Sequence, residues 1–183
     1  MDPFLADWER WAAELLESQL SFPVLSFYRS QHDNQSWVAA LTAILDTCAF
    51  LIVAVEDNNP YQAQLTFAMA RHAAVDMALV LRLAPQVPET DRLWVGQLQR
   101  LREMLREAGL TLREGADVAA KLAEVRGMYE PFVNALAQFF QFTLPPIVPH
   151  DATVDNWQTS AWMRRTPGIG SLPVATARDD HFD

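Results

Sequence analysis

Apolar residues recur at helical spacing almost from the start of this chain. Trp8, Trp11, Leu15 and Leu16 share one side of a segment from 3 to about 18, with Glu9, Arg10, Glu14 and Glu17 mostly on the other. Asp2 before Pro3 and Asn59 before Pro60 each set a capping side chain ahead of a proline at the first helical position, where the missing N–H costs nothing. Two helices are predicted to begin there. The apolar connector 22–28 contains Pro23 and predicts a turn or broken helix, followed by the polar string Arg29-Ser-Gln-His-Asp-Asn-Gln-Ser36. Residues 37–55 are apolar nearly all round and about as long as a membrane span. Asp46 stands at their middle, flanked by Thr42 and Thr47, and no Lys or Arg collar closes the ends. Centring a carboxylate in a bilayer costs about 2.5–3.5 kcal/mol, so the stretch reads as the buried central helix of a bundle, around 39–53.

The next helix, 60–83, sets Leu65, Met69, Val75, Leu79 and Leu83 among Gln, Arg, His and Asp, and is predicted to pack beside the central one. Beyond Pro85 and Pro88, Trp94, Leu98, Leu101, Leu105 and Ala108 recur at spacings of four and three. Val118, Leu122, Val125, Tyr129, Phe132, Leu136 and Phe139 repeat the pattern. Thr111 and Glu114 have capping-box spacing in the short connection between these seams, which predicts an antiparallel helical hairpin. Pro131 presses on the carbonyl of Gly127 and predicts a kink or hinge. From 145 onwards the composition shifts to Pro145, Pro146, Pro149, Pro167 and Pro173 with no sustained period. The expected architecture is all-α: a helical bundle of about five main helices over 1–144, with a central apolar helix and a C-terminal helical hairpin. An extended proline-rich arm over 145–183 follows, fraying past Trp162.

Composition narrows the function. Of 183 residues half are apolar, and 14 Lys+Arg against 23 Asp+Glu leave a net charge of −9. That excludes a disordered tail and a basic nucleic-acid clamp, so nucleic acid is not an expected partner. No glycine precedes Gly96, which removes any glycine-rich phosphate cradle from the first half of the chain. The single cysteine, Cys48, lies in an apolar run and reads as core packing. With no basic region followed by an apolar one at the N-terminus, the expected setting is reducing and cytoplasmic. No serine sits on a glycine elbow, so no catalytic residue and no cofactor are expected, and the chain reads as a non-enzyme.

Four polar or aromatic groups remain to be weighed. Arg29, His32 and Asp33 precede the central helix; Asp33 or Asn34 is placed to cap it, and Arg29 with His32 could receive an anion at its N-terminus. His72 and Asp76 lie one turn apart, but nothing nearby completes a metal site. They read instead as part of a polar layer with Asp46 and Arg71. Arg92, Arg100, Arg102 and Arg106 are matched by Asp91, Glu103 and Glu107 and read as a solvated outer face. Trp157 and Trp162, in the arm, must dock on their own domain or on a neighbouring subunit.

Five strings resemble one family. Arg29-Ser-Gln-His-Asp-Asn-Gln-Ser-Trp37, Leu41-Thr-Ala-Ile-Leu-Asp-Thr-Cys48, Leu65-Thr-Phe-Ala-Met-Ala-Arg-His72, Tyr129-Glu-Pro-Phe-Val-Asn-Ala-Leu136 and Asp155-Asn-Trp-Gln-Thr-Ser-Ala-Trp162 are similar to the cytosolic C-terminal region of bacterial two-transmembrane potassium channels. The resemblance implies a homo-oligomer, tetrameric where attached to a pore, on the cytoplasmic side of the inner membrane. Its partner would be the transmembrane pore module of the same full-length protein. It also implies a regulatory or assembly role. The breaks at Pro131 and Pro23 suggest how: bundle movement hinged at one of them would reach the pore through Trp8 and Trp11. The chain has no filter string such as Thr-Val-Gly-Tyr-Gly and conducts no ions by itself. The alternative is a stand-alone helical protein binding a small molecule or anion through Arg29, His32, Arg71 and His72.

Overall fold

A computed structural model describes residues 2–27, 36–56, 59–88 and 90–148. Among them the protein is all-α, with six α-helices: α1 (Asp2–Ser21), α2 (Trp37–Val53), α3 (Tyr61–Val80), α4 (Val95–Glu107), α5 (Ala116–Gly127) and α6 (Glu130–Phe140). A short 3-10 helix, Pro23–Phe27, forms the connector that Pro23 predicts. No helix among the described residues is long and apolar enough to cross a membrane.

α2 is the central helix. Eleven of its 17 residues are buried, and it packs against α3, α5 and α6. Its cap is Ser36, whose hydroxyl accepts the Ala39 N–H at 3.0 Å, rather than Asp33 or Asn34, which lie outside the described residues. At the start of α3 the Asn59 side chain accepts the Tyr61 N–H at 3.2 Å, so the helix opens one residue past Pro60. The buried face of α3 is Ala63, Thr66, Ala70, Ala73, Ala74, Met77 and Ala78, while Leu65, Leu79 and Val80 are exposed. Of the larger apolar side chains that mark this helix in the sequence, Leu65 and Leu79 thus point outward, while Met69 and Leu83 are half-buried against the core. Alanines let its backbone come close to its neighbours, and Thr66 takes advantage by donating to the Leu5 carbonyl of α1 at 2.9 Å.

The second seam is broken between α5 and α6. Gly127 ends α5, and Pro131 lies in the first turn of α6, where a proline is tolerated without a bent helix. The Pro131 carbonyl accepts the Gln86 N–H at 2.8 Å, tying the break to the segment after α3. The expected seam between the 94–108 and 118–139 stretches is met differently. α5 packs on α2, and α4 buries none of its residues fully. Leu98, Leu101 and Leu105 of α4 are only half-covered against the core. Nor does the Thr111/Glu114 capping box form. Glu114 pairs with Arg106 at 2.5 Å, and the Thr111 carbonyl accepts the Glu56 N–H at 2.9 Å. That bond, with Arg113 N–H donating to the Ala54 carbonyl at 2.8 Å, makes a single antiparallel bridge between Val55 and Leu112. The bridge fastens the turn after α4 to the end of α2.

Candidate functional site

A lone carboxylate inside an apolar helix must find a partner or lose its charge. Asp46, midway along α2, finds Arg92, which the segment between α3 and α4 carries across the bundle. The pairing is bidentate: Arg92 Nη2 donates to Oδ1 at 2.8 Å and Nη1 to Oδ2 at 3.0 Å. Tyr129, fully buried at the α5–α6 junction, donates its hydroxyl to Asp46 Oδ1. Arg92 also donates to Glu130 Oε1 at 2.9 Å and to the Pro145 carbonyl at 3.0 Å. Glu130 Oε1 in turn accepts Arg126 Nη2 at 2.9 Å, and Arg126 reaches Asp91 Oδ1 at 2.6 Å. Three carboxylates and two guanidiniums are linked, leaving one net negative charge when all are ionised.

Burial sets the electrostatics. It pushes the Asp46 carboxyl above its usual range, although the charge and hydrogen bonds of Arg92 and the Tyr129 hydroxyl pull the other way. Burial works against the Arg92 and Arg126 charges too, but their carboxylate partners outweigh it and raise both guanidiniums. Asp91 behaves oppositely to Asp46. Its partial burial is overcome by hydrogen bonds from Arg126 and the Leu93 N–H, and its carboxyl is lowered. Burial pushes the Cys48 thiol up to about 12, which leaves it a packing residue with no thiolate to offer.

Beside the cluster lies a pocket of about 240 Å³ between α2 and α4. Ala43 and Thr47 on α2 are too short to meet Leu101 and Leu105 of α4, so the space between them stays open. Asp46 lines it, and Pro145, Pro146 and Ile147 close one end. The first residues of the predicted arm are therefore packed on the bundle, with Val148 buried as well.

The residues singled out from the sequence are placed differently. Arg71 donates its Nε to the Met128 carbonyl at 3.0 Å, and His72 pairs with Asp76 at 3.3 Å on the surface, where the His72 side chain is 61% exposed. Neither reaches Asp46, so the expected polar layer does not form. Its place is taken by Arg92, which belongs to the buried cluster and not to a solvated face. The reason is geometric: Arg71, His72 and Asp76 lie off the alanine face that α3 turns inward. No three His, Cys, Asp or Glu side chains among the described residues are grouped to hold a metal ion. Arg29, His32, Asp33, Trp157 and Trp162 lie outside the described residues. Arg92, Arg126, Tyr129 and Glu130 were missed as site residues. The available signal was Asp46 itself, a buried charge in need of a cation. No family model, curated protein or solved structure matches this chain.

Proposed function

We propose that this chain is the cytosolic regulatory and assembly module of an oligomeric bacterial potassium channel. One observation carries the reading: three of the strings that resemble that family converge on one place in the fold. Asp46 of the second string accepts the hydroxyl of Tyr129 from the fourth, and Phe67 of the third packs edge-on against the Tyr129 ring, centroids 5.8 Å apart. A bundle tied at its centre by a few directional contacts can move as a unit and pass that movement to an attached pore. The exposed Phe22, Val24 and Phe27 beside α1 give it an apolar strip for contact with such a module.

The test uses the complete product of the native gene, reconstituted in liposomes. The expected result is potassium-selective flux by a tetramer, with Tyr129→Phe and Pro131→Ala each changing open probability severalfold at unchanged single-channel conductance. A product that supports no flux sinks the reading. Unchanged gating in Pro131→Ala alone removes the hinge.

A second reading, a helical protein that binds a small molecule, is favoured by the pocket between α2 and α4. Of the residues of its anion form, Arg71 and His72 have partners on the protein and lie away from the pocket, and Arg29 and His32 lie outside the described residues.

A further inference from the structure

The pocket's size, lining and charge together restrict what can occupy it. An apolar cavity of about 150 Å³ holds benzene, so about 240 Å³ accommodates roughly ten non-hydrogen atoms. Ala43, Phe50, Leu51, Leu101 and Leu105 offer no hydrogen-bonding side chain, and the Thr47 hydroxyl, which donates to the Ala43 carbonyl of its own helix at 2.8 Å, is left as an acceptor. The ionisable group in the wall is Asp46. Its Oδ1 accepts two hydrogen bonds, but among the described residues its Oδ2 accepts only that from Arg92, leaving capacity for one more donor. With its groups ionised the linked cluster carries three acids against two bases, in a chain of net charge −9, so this wall favours a cation over an anion. Entry is also feasible. Ala43 and Thr47 in its wall are exposed, and α4 on the other side buries none of its residues fully, so a ligand can reach the pocket without disturbing the core.

We propose that the pocket between α2 and α4 binds a small primary amine with an apolar body, its ammonium group beside Asp46 and its hydrocarbon part between Ala43, Leu101 and Leu105. This rests on the small-molecule reading of the pocket and is independent of the channel reading. Flux by the complete gene product and amine binding by this chain fail separately.

Phenethylamine, 2-phenylethanol and phenylacetate share one body and differ in the head group, so they form the probe set. Calorimetric titration of the whole chain should show saturable binding of phenethylamine, about tenfold weaker binding of the alcohol and none of the acid. Asp46→Asn should bring the amine down to the level of the alcohol. Ala43→Phe, which fills the cavity and leaves the ion pairs in place, should abolish both. Equal affinity for amine and alcohol, binding that survives Ala43→Phe, or no saturable amine binding overturns the proposal. Should Asp46→Asn fail to fold, the amine-to-alcohol ratio and Ala43→Phe still decide it.

Discussion

At the scale of the residue, the Asp46–Arg92 pair is the most consequential contact in the fold, with side chains only 11% and 14% exposed. Such a pair contributes little net stability over an apolar replacement, because desolvation consumes most of the attraction. Removing one partner is far worse, since the other stays buried with its charge less well matched, Arg92 against Glu130 and Asp46 against the Tyr129 hydroxyl. Asp46→Leu and Arg92→Met are therefore each expected to cost about 3 kcal/mol in denaturant unfolding. The double variant should fall short of the sum by about 2 kcal/mol. Strict additivity would show that the two side chains do not act as a pair. This pairing was out of reach of sequence reasoning because nothing in spacing tells which arginine of a charged loop turns inward. Arg92 stands next to Asp91 and close to Arg100 and Arg102, and only the fold separates it from them. Asp46 was legible as an anomaly, while its partners were not.

Elements were read more successfully than contacts, and for a physical reason. Period, proline and capping residues act within a few positions, so α1, α2 and α3 were visible within a turn of their observed ends. The α5–α6 break was signalled by Pro131 but arises between Gly127 and Glu130. The heptad residues of α4 misled, because a 3-4 repeat says that one face is apolar and not how deeply it is buried. α4 is held mainly at its ends. Asp91 and Arg92 enter the ion-pair cluster at one, and the Val55–Leu112 bridge follows the other, where Gly109 takes the left-handed conformation (φ 85°) that lets the helix stop. Gln97 Oε1 and Arg102 Nε find no partner among the described residues. Local opening should therefore cost less here than elsewhere. Hydrogen exchange is expected to be at least tenfold faster for mid-α4 amides than for mid-α2 amides; equal protection would mean that α4 is part of the cooperative core.

For the whole molecule, acid stability reflects two carboxylates of opposite sign. The lowered Asp91 contributes stability above its unfolded value of about 3.9, and loses it as pH falls through its folded value. The raised Asp46 contributes most below its unfolded value and loses that as pH rises through its folded one. The two oppose each other on acidification. Asp91→Asn removes the acid-labile member, so the variant should lose less stability than the parent between pH 5 and pH 3, read as the shift in urea midpoint. An equal loss in both would place the acid sensitivity in other groups.

The alanine face of α3 has a further consequence. Where two helices touch through methyl groups, backbone separation is fixed by the main chains themselves, and no smaller side chain except glycine is left to substitute. Each change there either adds volume to a space already full or loosens the helix that defines it. Positions on α2 can exchange one branched side chain for another and repack. α3 has no such latitude, and the tolerance of this protein to amino-acid replacement should be divided sharply between the two helices that form its centre.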